Sequence, residues 1–134
     1  MTDLVFEAVL GQDPPPMMVA SSSVHAVDGL YSFNDENSVY WPMADRNFDA
    51  VNPWPERISA KTPAHAPNDY AREKEYAEQW CQKMADRGHS AVAARWGGIN
   101  EHNAVVEVTE RGYFSVWCHQ EDAARFVHAL SLIH

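Results

Sequence analysis

The sequence predicts an α+β fold: a mainly antiparallel sheet packed with two helices and interrupted by a long proline-rich loop. Three observations carry this expectation. Two stretches of the second half repeat apolar residues at helical spacing, and the runs between them alternate apolar and polar residues as strands do. All eight prolines lie between Pro14 and Pro67, so regular elements are expected mainly after residue 67.

Taken in order, residues 3–10 alternate, with Leu4, Phe6, Ala8 and Leu10 on one face, and read as a strand stopped by Pro14, Pro15 and Pro16. Residues 17–27 are the place for a second strand, and Asp28-Gly29 is a turn signal. Residues 30–33 and 38–41 read as a short hairpin around Asn34, Asp35, Glu36 and Asn37. From 42 to 67 there is no periodicity. A structureless stretch of that length inside a compact domain is functional, disordered or wrongly assigned.

The second half is more regular. Asn68 is placed to cap a helix over 69–87, and Asp69 sits where the helix dipole favours an anion. Tyr70, Ala77, Trp80, Cys81 and Met84 form its apolar face. Arg72, Lys74, Glu75 and Glu78 cover the other side, and Gly88 suits a left-handed cap. Strands follow at 90–96, where Val92, Ala94 and Trp96 share a side, at 104–110, and at 113–118 after the tight reversal Arg111-Gly112. Together they predict a three-strand antiparallel meander. The last helix covers 121–133, with Glu121 and Asp122 in its first turn and Ala123, Phe126, Val127, Leu130 and Ile133 as its stripe. The chain reads as one domain, 1–134, with 41–67 as an irregular Pro/Trp-rich segment.

A chain of 134 residues can bury a core without metal or disulfide. Its net charge of −9 comes from 19 acidic and 10 basic residues, so bases are scarce rather than acids dense. That argues against contact with DNA, RNA or an anionic membrane, which relies on clustered Lys and Arg, and against mimicry of a nucleic-acid backbone, which needs packed carboxylates. The first ten residues carry Asp3 and Glu7 and lack the basic start of a signal peptide. No apolar run approaches the ~20 residues that span a bilayer. With only Cys81 and Cys118, a cytoplasmic setting with free thiols is expected.

No motif specifies a reaction. Cys118-His119 are strand neighbours, whose side chains point to opposite faces. His89, His102, His119, His128 and the two cysteines lack any recognised metal-ligand spacing, so neither metal nor cofactor is expected. Gly97-Gly98 reads as a hairpin turn rather than a phosphate loop. His25 with Asp28, His102 with Glu101, and His89 remain as acid–base candidates in loop-like stretches.

The sharpest local feature is Asn52-Pro53-Trp54-Pro55-Glu56-Arg57, with Trp41-Pro42 upstream. Prolines on both sides of a tryptophan stiffen the backbone and reduce the entropy lost on contact. The expectation is a small acidic inhibitor or adaptor that binds another protein, one with a basic, nucleic-acid-handling surface. Trp41 and Trp54 are its anchors, and Asp45, Asp49, Glu56 and Arg57 its charged rim. In character alone, such a chain resembles phage-encoded anti-defence proteins, including anti-CRISPR proteins, and immunity proteins for nuclease toxins. Two alternatives stand beside it. One is a small enzyme using His25, Asp28, His89 or His102 beside the proline-rich loop. The other is a structural subunit of a homodimer or larger homo-oligomer.

Overall fold

A computed structural model describes residues 1–31, 37–102 and 117–133. The chain opens with helix α1 (Thr2–Leu10), then strand β1 (Met18–Ser23) and a 3-10 helix (Val24–Tyr31). A short helix α2 (Tyr40–Ala44), a 3-10 turn (Phe48–Ala50), helix α3 (Asp69–Asp86), strand β2 (Ala91–Trp96) and helix α4 (Gln120–Ile133) follow.

The sheet corrects the predicted architecture. β1 and β2 pair in parallel, in the register Met18 with Ala91 through Ser23 with Trp96. Parallel neighbours cannot be joined by a hairpin, and here the crossover contains α3, which packs on both strands. β2 is therefore half of a β-α-β unit, not the first strand of an antiparallel meander. Gly98 continues from it into a parallel bridge with Trp117, and the Cys118 N–H donates to the Gly98 carbonyl at 3.0 Å. The strand expected at 104–110 and most of that at 113–118 lie outside the described residues.

The N-terminal strand is also corrected, to a helix. Phe6, Val9 and Leu10 recur at three and four residues and give α1 an inward stripe that the two-residue alternation masks. Phe6 is 2% exposed and forms the core with Ala20, Cys81 and Met84, with Val9, Leu10, Met18, Ala77, Trp80, Ala91 and Ala93 packed around it. Its ring stacks on Trp80 at 5.4 Å. Asp3, in the first turn, accepts from the Tyr76 hydroxyl at 2.6 Å and from the Trp80 indole at 2.8 Å, tying α1 to α3.

The predicted hairpin around 34–37 is replaced by helical turns on both sides. Residues 30–31 end the 3-10 helix, and residues 32–36 are outside those described. Ser38 then opens α2: its Oγ accepts from the Tyr40 N–H at 3.2 Å, and Pro42 falls in the first turn, where a missing N–H is tolerated.

α3 starts and stops where its caps require. Asn68 Oδ1 accepts from the Ala71 N–H at 2.9 Å, and Gly88 adopts φ +81° after the last turn. Its buried face is Ala71, Cys81 and Met84, whereas Tyr70 is 52% exposed. Glu78 belongs to the sheet-facing side, not the solvent side. α4 rests on β2 through Phe126, edge-on to Trp96 at 5.6 Å. Among the described residues, no helix is long and apolar enough to cross a membrane.

Candidate functional site

The segment between α2 and α3 is irregular, yet it is held at three points. α2 closes on itself at its C-terminus: the Asn47 N–H donates to the Pro42 carbonyl at 2.8 Å, and Arg46 sits at φ 59°, the left-handed position usually given to glycine. Val51 is 3% exposed and anchors the middle. At the far end, the His65 N–H donates to the Ala26 carbonyl at 2.7 Å, and the Gly29 N–H donates to the His65 carbonyl at 2.9 Å. This clasp binds the segment to the 3-10 helix.

Between these anchors the aromatics divide. Trp41 is half-buried and lies edge-on to Tyr40 at 5.0 Å. Trp54 is 60% exposed and stacks on Phe48, itself 53% exposed, at 6.1 Å. Trp54 is thus outside the core. Asp45, Asp49, Glu56 and Arg57 are exposed. Residues 45–61 hold three acids and three bases, so the surplus negative charge lies elsewhere on the chain. Phe48 was not singled out from sequence; its signal was the six-residue spacing to Trp54 across a turn.

The histidine candidates do not converge. His25 Nδ1 contacts Asp28 Oδ2 within the 3-10 helix, and the imidazole meets the Tyr70 ring edge-on at 6.0 Å. Burial, with the Asp28 charge nearby, pushes the Tyr40 hydroxyl above its ordinary range. His102 pairs with its neighbour Glu101, at 3.5 Å, and His89 follows Gly88 at the other end of α3. No group of three His, Cys, Asp or Glu side chains suited to a metal occurs among the described residues. The Cys118 thiol lies 3.5 Å from the His119 carbonyl, while His119 Nδ1 accepts from the Glu121 N–H at the start of α4. Burial pushes the Cys81 thiol up, away from reactivity.

One charged cluster was missed. Glu78 on α3 accepts from Arg95 Nε at 2.8 Å and Nη2 at 2.7 Å, and from Ser22 Oγ at 2.5 Å. Burial alone would push the Glu78 carboxyl up; the bonds from Arg95 and Ser22 outweigh it and hold it below the usual range. The available signal was position: Glu78 lies seven residues after Ala71 and three before Cys81, on the buried stripe. This cluster flanks a cleft of about 570 Å³ between α3 and β2, lined also by Cys81, Trp96 and Phe126. A second, of about 710 Å³, lies between Trp96, Ile99 and α4. Neither cleft reaches His25, Asp28 or Trp54.

No protein-family model, curated protein or solved structure matches the chain.

Proposed function

We propose that this chain acts by binding another protein, as an inhibitor or adaptor, through the exposed aromatic face of Phe48 and Trp54. The observation that supports it is the stacked pair standing outside the core on a proline-stiffened segment anchored at both ends. Tryptophan is among the residue types most enriched at interface hot spots, and a rigid support limits the entropy lost on docking. The net charge of −9 steers the chain towards a basic partner surface, such as that of a nucleic-acid-handling protein. Since charges cancel around Trp54 itself, electrostatics govern the approach and the aromatic pair governs affinity.

The test is affinity capture from host lysate with the tagged wild type and Trp54→Ala. A stoichiometric protein partner, lost with Trp54→Ala and weakened by salt, is the expected result. The variant should keep its fold, since the exposed stack contributes about 1 kcal/mol or less. A variant that unfolds, or that retains the same partner, removes the reading. A second reading, a small enzyme, draws on the His25–Asp28 contact, which holds the imidazole in place through Nδ1. An activity lost alike in His25→Ala and Asp28→Asn, and kept in Trp54→Ala, would move the conclusion there.

A further inference from the structure

Residues 52–58 form no hydrogen bond or ion pair with any described residue, and six of the seven are exposed. The backbone groups of Trp54, Glu56, Arg57 and Ile58 are therefore open to a partner. Pro55 restricts Trp54 to extended conformations, and proline fixes its own φ near −65°. In an extended chain, successive N–H groups point to opposite edges. Trp54, Glu56 and Ile58 thus share one edge with every donor present. On the other edge Pro55 has no donor, and Arg57 stands alone. Proline occurs in strands only where its own edge is unpaired. The segment has one edge fit for pairing and one blocked, which limits it to a single partner strand. With the segment extended, as strand pairing requires, Trp54, 60% exposed, Glu56 and Ile58, 37% exposed, share one face.

We infer that residues 54–58 add as a strand to the open sheet edge of the protein partner. Main-chain bonds run through Trp54, Glu56 and Ile58, and the Trp54 and Ile58 side chains fill pockets beside that edge. This rests on the protein-binding reading above and specifies its mode. A receptor for polyproline helices would instead grip the proline rings and need no N–H from Glu56.

The test uses the tagged full-length chain as bait in host lysate, in the wild type and in Trp54→Ala, Glu56→Pro, Arg57→Pro, Glu56→Ala and Arg57→Ala. The readout is the amount of protein whose retention depends on Trp54. Neither the Glu56 nor the Arg57 N–H is bonded to any described residue, so both prolines should leave the fold intact, as circular dichroism checks. Glu56→Pro should lower retention about tenfold or more relative to Glu56→Ala, while Arg57→Pro should match Arg57→Ala. In the complex, hydrogen exchange should slow at the Glu56 and Ile58 amides and not at Arg57. If the two prolines act alike while Trp54 still matters, edge pairing is wrong and protein binding stands. If nothing retained depends on Trp54, or only the chain itself returns, both fall.

Discussion

Glu78→Gln keeps the shape of the side chain and removes its charge, which isolates the worth of the charged cluster under α3. In the wild type the Arg95 and Glu78 side chains are 19% and 14% exposed, so the pair is about four-fifths withdrawn from water. Breaking a buried pair by removing one partner costs about 3–5 kcal/mol, because the other charge stays behind without compensation. The residual exposure lowers this to roughly 2–3 kcal/mol. That is a large share of the 5–15 kcal/mol typical of a domain. The Asp69–Arg72 pair, 96% and 63% exposed on the same helix, is the internal control, and Asp69→Asn there should cost about 0.5 kcal/mol or less. Replacing both members, as Glu78→Leu with Arg95→Met, in a Ser22→Ala background that removes the hydroxyl Glu78 would otherwise satisfy, should cost under about 1.5 kcal/mol, because neither a charge nor an unpaired hydroxyl is then buried. Urea denaturation followed by far-ultraviolet circular dichroism gives all three values. The pH dependence has a definite sign. A carboxyl held below its ordinary value of 4.5 contributes fully above that value and loses its contribution as pH falls through the folded-state value. The acid limb of stability should therefore be flatter in Glu78→Gln. A loss no larger than at Asp69, or a double variant as unstable as the sum of the singles, would refute the argument.

Other perturbations probe the core and the anchors of the site. Phe6→Ala empties a position that is 2% exposed and ends the stack on Trp80, so it should cost about 3–4 kcal/mol in thermal or urea unfolding. Gly29→Ala would bring a Cβ within 2.5 Å of the His65 carbonyl oxygen, prising open the clasp between the 3-10 helix and the long segment. A cost of roughly 2 kcal/mol is expected, with faster hydrogen exchange at the His65 amide. Arg46→Gly relieves a left-handed residue at φ 59° and should stabilise by roughly 0.5–1 kcal/mol, read as a rise in melting temperature.

What could be read from sequence was what is fixed locally. The limits of α3 follow from Asn68 and Gly88, each acting within a turn of its own position, and both behave as their chemistry demands. α1 was misread because a short apolar run satisfies two periods at once. Leu4, Phe6, Ala8 and Leu10 alternate, while Phe6, Val9 and Leu10 form a helical stripe. The Asp3 bonds to Tyr76 and Trp80, more than seventy residues away, help hold the helical choice in place. Strand direction was hidden for a related reason. Alternation reports which face is buried, not which way a neighbour runs. β1 ends on Ser21-Ser22-Ser23, which looks like a solvent-facing stretch until Glu78 satisfies the Ser22 hydroxyl. The clue to parallel pairing was the connection: an 18-residue helix between two strands is long enough to be a crossover and far too long for a hairpin.

For the site, the prolines around Trp54 were visible and the exposure of Trp54 was not. Tryptophan is highly buried on average, so residue type alone does not reveal that this ring stands outside the core. The core contacts go elsewhere, because Val51 supplies the buried side chain of that stretch and Phe48 takes the Trp54 ring at the surface. An aliphatic residue three positions before an aromatic one, each proline-adjacent or turn-bound, divides the tasks of anchoring and display. Under the binding role proposed for Trp54, anchoring and recognition should respond to different substitutions. Truncating Val51 should loosen the segment and lower affinity together with stability, whereas truncating Trp54 should lower affinity alone. That separation is what a displayed hot spot requires, and a loop-pinning tryptophan would not show it.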